Sequence, residues 1–101
     1  MQNKQNILNF LGLAERARKL STGESALKAV QSKTAKLVIV AEDAGPNTKK
    51  KFHDKCAFYE VDIMEWGTSA ELSQAIGKFN RMAIAIEDQG FAKKLKEKLG
   101  G

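Results

Sequence analysis

The chain has 101 residues, with 17 Lys and Arg against 12 Asp and Glu, a net charge of +5. This length supports one core of ordinary size, so residues 1–101 are expected to form a single domain. One cysteine excludes an internal disulfide, no secretory leader is evident, and the apolar runs are too short to cross a bilayer, so we expect a cytoplasmic protein without a membrane partner. The basic excess lies mainly in the first 35 residues and favours a polyanionic partner, although a mildly basic charge also serves solubility alone.

The first half of the chain predicts two helices followed by a buried strand. Apolar residues recur at helical spacing from Asn3 to Leu20, which predicts the first helix. Ser21 and Glu24 have the spacing of a capping box, so a second helix is expected to begin at Ser21. The run Leu37–Ala41 is apolar throughout, which is typical of a strand that is covered on both faces.

The middle of the chain predicts a third helix, a strand near a sheet edge and a fourth helix. Pro46 suits the first turn of a helix that continues to about Lys55. Apolar and polar residues alternate from Tyr59 to Met64, which indicates a strand with one polar side. Thr68 and Glu71 form a second capping box, which opens the fourth helix.

The last part of the chain completes the predicted architecture. Met82–Ile86 resembles a second buried strand, and Phe91, Leu95 and Leu99 recur at the spacing of a closing helix. Helices alternating with buried strands predict an α/β fold, a three-layer α/β/α sandwich around a small mixed four-stranded sheet.

Few residues suggest catalysis or metal binding. His53 and Cys56 are three residues apart, but the chain has no second His or Cys to complete a zinc site. Glu42 and Asp43 follow the buried strand, where acidic residues can hold Mg²⁺ or a ribose hydroxyl. A cap for the following helix is the favoured role, because no phosphate-binding glycine motif accompanies them. We therefore predict no enzyme activity, no metal and no cofactor.

Three segments carry a resemblance to a known family. The strings GLAERARKLSTGESALKAV, KLVIVAEDAGPNTKKKFHDKC and ELSQAIGKFNRMAIAIEDQGF resemble the small bacterial YlxQ proteins. These belong to the superfamily of the archaeal ribosomal protein seven-Ae and its eukaryotic relative thirty-e. The resemblance implies an α/β/α sandwich that binds kink-turn or similar internal-loop RNA. It also implies two contact regions, the start of the second helix and the loop before the last central strand.

The family's motif at the first contact region falls on residues 22–28. Lys28 matches the lysine that approaches the RNA backbone, whereas Glu24 replaces an asparagine, Ser25 replaces a glutamate, and Gly23 is one place from the expected glycine. An ionised glutamate only accepts hydrogen bonds, so contacts to base edges must differ from those of an asparagine. The candidate RNA-binding residues are Lys19, Thr22, Gly23, Glu24, Ser25, Lys28, Lys33, Phe79, Asn80, Arg81 and Met82.

General physical chemistry supports this assignment but leaves alternatives open. A helix N-terminus attracts phosphate, and Lys19, Lys28 and Lys33 are expected to surround it. Glu24 also has a structural interpretation, as part of the capping box and as an i, i+4 partner of Lys28. Phe79 and Met82 are equally well explained as core residues that flank a turn.

The predicted function is noncatalytic binding of structured RNA by a monomer, with the ribosome as a candidate location. One rival is a protein-interaction module built on the same sandwich without RNA specificity. The other is a nucleotide-using enzyme centred on Glu42 and Asp43.

Overall fold

The computed structural model describes residues 3–100, which contain five helices and four strands. In chain order they are α1 (Lys4–Arg16), β1 (Leu20–Thr22), α2 (Gly23–Gln31), β2 (Leu37–Val40), α3 (Pro46–Tyr59), β3 (Asp62–Glu65), α4 (Ser69–Ala75), β4 (Ala83–Ile86) and α5 (Gln89–Gly100).

The four strands form one mixed sheet in the order β1-β4-β2-β3. Strand β2 is parallel to β3, and β4 is antiparallel to both β1 and β2. Helices α2 and α3 contact each other on one side of the sheet, and α1 contacts α4 and α5 on the other. The predicted α/β/α sandwich around a four-stranded mixed sheet is therefore confirmed.

The two central strands form the middle of the core, because every residue of β2 and β4 is buried. Helices on both faces cover them, so their side chains are removed from water on either side of the sheet. This explains why both segments are apolar without alternation. No helix within residues 3–100 combines the length and the apolar character that crossing a membrane requires.

The predicted capping box at Ser21 is wrong, because Ser21 lies in a strand. Its hydroxyl donates a hydrogen bond to the carboxylate of Glu87, and its backbone pairs with Ala85 of β4. Helix α2 begins at Gly23 with Thr22 as the N-cap residue. A partner 66 positions away in the chain therefore takes the side chain that local spacing assigned to helix capping.

Several predicted boundaries also shift. The first helix ends at Arg16 instead of Leu20, and the third continues to Tyr59 instead of about Lys55. The edge strand consequently begins at Asp62 and not at Tyr59. Pro46 occupies the first turn of α3, and Thr68 with Glu71 forms the second capping box, as predicted.

Candidate nucleic-acid interface

Three helices begin at one end of the strands of the sheet. We call this end of the sheet the helix-start edge. The strand register brings together Thr22 of β1, Val40 of β2, Glu65 of β3 and Ala83 of β4. Helices α2, α3 and α4 follow the first three strand ends, and the loop of residues 77–82 precedes the fourth. The two predicted contact regions therefore lie at the same edge of the molecule.

The start of α2 is open to a ligand. Gly23 has a φ of +58°, and a Cβ built on it would meet no atom within 4 Å. The side chain of the N-cap residue Thr22 makes no capping hydrogen bond, so first-turn N–H groups are left for another acceptor. Glu24, Ser25 and Lys28 are all exposed.

The loop of residues 77–82 is anchored to α4 by a buried hydroxyl. The Ser73 hydroxyl accepts a hydrogen bond from the Arg81 N–H at 2.8 Å and donates to the Arg81 carbonyl at 3.2 Å. Arg81 in turn donates through Nη1 to the carbonyl of Phe79 at 3.0 Å. Asn80, between them, has a left-handed backbone with a φ of +54°. The loop therefore holds a defined shape while its tip faces water.

Two large apolar side chains of this loop are exposed. Phe79 is 85% exposed and Met82 is 39% exposed, so the interpretation of Phe79 as a core residue is wrong. The left-handed turn at Asn80 separates the two side chains along the loop. An exposed aromatic ring beside polar groups is a surface on which an unstacked base can rest.

The two predicted contact regions meet in a cavity of 320 Å³. The start of α2, the start of α3 and the end of the 77–82 loop form its walls. Leu27, Thr48 and Lys51 belong to this cavity but were not among the predicted site residues. The lining residues are Gly23, Glu24, Leu27, Thr48, Lys51, Phe52, Asn80, Met82 and Ala83.

The sequence contains a periodic pattern that indicates the contribution of α3 to this cavity. Thr48 and Lys51 are three residues apart, and Phe52, which packs in the core, follows directly. Helical spacing therefore predicts that the side of α3 containing these residues borders the protein body. What the sequence did not show is that α3 begins beside α2, which follows from the register of the sheet.

Phe79 borders a second cavity of 570 Å³ on the α4 side of the loop. Its walls are the loop itself and the exposed surface of the short helix α4. Asn80 lines both cavities, whereas Phe79 lines only the second and Met82 only the first. The lining residues are Ser69, Ala70, Ser73, Gln74, Gly77, Lys78, Phe79 and Asn80.

Some basic side chains of these segments form ion pairs with carboxylates, and others do not. Lys49 forms an ion pair with Glu65 at 3.2 Å, and Lys50 forms one with Asp54 at 2.8 Å. Within residues 3–100, no carboxylate oxygen lies within 4 Å of the charged groups of Lys28, Lys51 or Arg81. The predicted pair between Glu24 and Lys28 is therefore not formed. Lys51 and Arg81 remain at the helix-start edge for an anionic ligand, whereas Lys28 lies in the last turn of α2.

Lys19 and Lys33 do not surround the start of α2. Lys19 precedes β1, and Lys33 follows the last turn of α2. Nine helical residues separate Lys33 from Thr22, a length of about 14 Å at 1.5 Å per residue. Both lysines lie at the opposite edge of the sheet, and Lys28 lies in the last turn of α2, so eight of the eleven predicted residues belong to the helix-start edge.

The acidic pair after β2 has a structural role in a different helix from the one predicted. Asp43 accepts hydrogen bonds from the N–H of Ser69 at 2.8 Å and from its hydroxyl at 3.2 Å. The bond from the backbone N–H is the main cause that lowers the pKa of Asp43. Asp43 therefore stabilises the start of α4, whereas Gly45 is the N-cap residue of α3.

His53 and Cys56 do not form a joint site. His53 Nε2 lies 2.8 Å from Glu65 Oε2, and this hydrogen bond is the main cause that lowers the pKa of Glu65. Cys56 is buried, and desolvation raises the pKa of its thiol to about 11. Among the described side chains, no group of three or more His, Cys, Asp and Glu residues is arranged to hold a metal ion.

Comparison with known proteins agrees with this architecture. The model of the ribosomal protein L7Ae/L30e/S12e/Gadd45 family matches residues 5–96. The RNA-binding protein YlxQ of Enterococcus faecium is 49% identical over 100 residues, covering 98% of this chain and 96% of the relative. The RNA-binding protein YlxQ of Bacillus subtilis is 48% identical over 87 residues, covering 85% of this chain and 87% of the relative.

A solved structure has the same fold over almost the whole chain. It is described as a protein with unknown function from Bacillus halodurans, and it is 45% identical with a TM-score of 0.90. The match covers 94% of this chain and 97% of that one.

Proposed function

Because the chain belongs to the ribosomal protein L7Ae/L30e/S12e/Gadd45 family and is of the YlxQ type, we propose that it binds structured RNA. The target is a kink-turn or a related internal loop. Membership of this family also makes the chain a binding protein and not an enzyme. The protein acts as a single cytoplasmic domain, as a monomer, with the ribosome as the candidate location.

The observation that carries this proposal is the junction of two distant segments at one cavity. Gly23 and Glu24 line the same 320 Å³ space as Asn80 and Met82, and the exposed ring of Phe79 borders the adjoining cavity. Internal-loop RNA presents unstacked bases next to phosphates, and such bases are recognised by apolar surfaces with polar groups at their edges. Met82 and Leu27 supply the apolar surface, while Asn80 and Glu24 supply polar atoms.

The start of α2 supports the contact with the RNA backbone. First-turn N–H groups and the positive end of the helix dipole attract a phosphate, and Lys28 lies exposed on the same helix. Glu24 at the cavity wall only accepts hydrogen bonds, so it suits an amino or imino group of a base. Ser25 accepts and donates, which leaves it able to contact either a base or a ribose.

The test compares a kink-turn RNA with a plain duplex of equal length at two salt concentrations. Contacts to phosphates alone give similar affinities for both RNAs, each falling steeply with salt. A preference for the kinked RNA that persists at high salt is the expected result. Equal affinities would reject the kink-turn proposal, and no binding of either RNA would favour the protein-interaction module.

Two substitutions locate the site. Lys28→Ala and Arg81→Ala are expected to weaken binding of the kinked RNA, each by about 1.5–3 kcal/mol if a charge-assisted hydrogen bond is lost. Lys94→Ala removes an exposed charge from α5 and serves as the control. The Arg81 side chain also donates a hydrogen bond to the Phe79 carbonyl, so Arg81→Ala removes both a charge and a contact within the loop. The RNA affinity of Arg81→Lys, which keeps the charge, is therefore measured as well. Unchanged affinity in both Lys28→Ala and Arg81→Ala would contradict the site.

A further inference from the structure

The edge of the sheet opposite the proposed site carries a second group of positive charges. We call it the basic edge and define it by Arg18, Lys19, Lys33 and Lys36. The Lys19 carbonyl accepts a hydrogen bond from the Glu87 N–H at 2.7 Å, and the Lys36 N–H donates to the Ile86 carbonyl at 2.7 Å. Lys19 and Lys36 therefore lie on either side of the end of β4, separated by about two strand spacings of 4.8 Å.

The backbone holds these residues in defined turns. Arg18 and Lys33 both have left-handed backbones, with φ values of 59° and 63°. Each follows the end of a helix, α1 for Arg18 and α2 for Lys33. Lys36 Nζ also donates to the Lys33 carbonyl at 3.4 Å, which keeps the second turn closed. The four cations are thus presented by two short turns that flank β4.

These cations are exposed and lack acidic partners. All four residues are exposed, and in the part of the chain that the structure describes none of them forms an ion pair within 4 Å. Glu87 and Asp88 follow β4 at this edge, and Asp62, which begins β3 there, forms an ion pair with Lys96. Glu87 and Asp88 both accept hydrogen bonds from the protein itself, Glu87 from the Ser21 hydroxyl and Asp88 from the Phe91 N–H at 2.9 Å. The four cations of this edge are therefore paired with none of the described carboxylates.

The surroundings favour a polyanion with a regular backbone over a protein partner. Protein interfaces centre on buried aromatic and aliphatic anchors, whereas nucleic acid is bound by dispersed cations. Among the large apolar side chains exposed within residues 3–100, Phe58 lies at the same end of the sheet, near the end of α3, but none belongs to the two turns that present these cations. Charge without an apolar anchor in either turn is therefore the property that distinguishes the basic edge.

We propose that the basic edge is a second RNA-binding surface, which contacts the phosphate backbone of an RNA segment other than the one at the helix-start edge. The two surfaces lie at opposite ends of the same strands, about 14 Å apart along α2. A single base seated in the cavity therefore does not reach Lys19 or Lys33 directly. The protein therefore joins two RNA segments. This joining depends on the proposed function, because it requires RNA at the helix-start edge. Contact of the basic edge with an RNA backbone does not depend on it.

The experiment measures affinity for a plain RNA duplex as a function of salt, in three double variants. The basic-edge variant combines Lys19→Gln with Lys33→Gln. The α5 variant combines Lys93→Gln with Lys94→Gln and makes the same change in charge. A third variant combines Lys28→Ala with Arg81→Ala and alters the site proposed at the helix-start edge. Each phosphate contact contributes about 0.7–0.9 to the log-log slope. We expect the slope to fall by about 1.4–1.8 in the basic-edge variant and to stay unchanged in the α5 variant.

A second readout tests the joining of two segments. A donor-labelled kink-turn RNA and an acceptor-labelled duplex are mixed with the protein, and energy transfer reports their presence in one complex. Transfer is expected with the unaltered protein and with the α5 variant, and its loss is expected in the basic-edge variant. Thermal unfolding of each variant separates this loss from any effect of the lysines on the ends of α1 and α2, where cations also favour the helix dipole.

The outcomes distinguish the two proposals. An equal salt slope in the unaltered protein and the basic-edge variant overturns the second surface and favours an acidic protein as its partner. An equal fall in slope in the basic-edge and α5 variants also overturns it, because a generic charge effect then suffices. In a further outcome, the protein shows no preference for the kink-turn RNA while the salt slope falls only in the basic-edge variant. This result rejects the kink-turn site at the helix-start edge and supports RNA binding at the basic edge.

Discussion

Truncation of Phe79 to alanine separates a role in binding from a role in folding. The ring is 85% exposed, so only about 15% of its surface is removed from water by the protein. Full burial of a phenylalanine contributes roughly 1.5–3 kcal/mol, so Phe79→Ala is expected to lower the free energy of unfolding by only about 0.2–0.5 kcal/mol. The melting temperature should fall by less than about 4 °C.

The expected effect of Phe79→Ala on RNA binding is much larger. Stacking of one base on an aromatic ring contributes about 1–3 kcal/mol, which corresponds to a loss of affinity of about 5- to 150-fold. The assay is fluorescence anisotropy with a kink-turn RNA, at a salt concentration high enough to suppress contacts made by charge alone. Thermal unfolding of the same protein preparations gives the stability.

Phe58→Ala provides a matched control. Phe58 is also aromatic and 78% exposed, but it lies near the end of α3, away from the cavity and outside the two turns that define the basic edge. Its ring contacts only the neighbouring Tyr59 ring, with centroids 4.8 Å apart, among the described aromatic pairs. We expect Phe58→Ala to leave RNA affinity unchanged. Equal losses in both variants, or no loss in Phe79→Ala, would refute the assignment of Phe79 as a base-stacking surface.

Three further predictions concern the scaffold. Gly23→Ala should destabilise the fold by about 1 kcal/mol in thermal unfolding, because its φ of +58° strains a side chain, whereas Gly45→Ala, with a negative φ, should lack this strain and destabilise the fold less. Hydrogen bonding to Ser69 lowers the pKa of Asp43 below 3.8, so its contribution to stability is present above that pH and is lost as the pH falls through the lowered value. Asp43→Ala should therefore lower the melting temperature at neutral pH and flatten its acid dependence, and an unchanged profile would contradict this role. Cys56, with a pKa of about 11, should resist iodoacetamide at pH 8 until the protein is unfolded, and rapid labelling of the native protein would show that the thiol is accessible.

Elements defined by local chemistry were predictable from the sequence. The capping box at Thr68 and Glu71, the proline at the start of α3 and the two apolar central strands depend on neighbouring residues only. The same type of signal failed at Ser21, because the side chain had a competing partner in Glu87. A three-residue strand also lacks the length at which alternation becomes visible.

The site was predictable in its segments but not in its shape. Motif positions indicated both the start of α2 and the 77–82 loop, and the sheet register places them together. The positions of Lys19 and Lys33 could not be inferred, because they depend on where β1 begins and α2 ends. The contribution of Lys51 depends on the packing of α3 against α2, a contact between helices that no local pattern records.

The strand order has a consequence for the order in which the chain can fold. Strand β1 pairs only with β4, whose residues are synthesised more than 60 positions later. During synthesis, β2 and β3 can pair as soon as residue 65 is available, but β1 has no neighbouring strand until residues 83–86 have left the ribosome. The same event brings the 77–82 loop beside α2. A nascent chain therefore gains the candidate RNA-binding cavity in one late step, and a chain that stops before β4 has none.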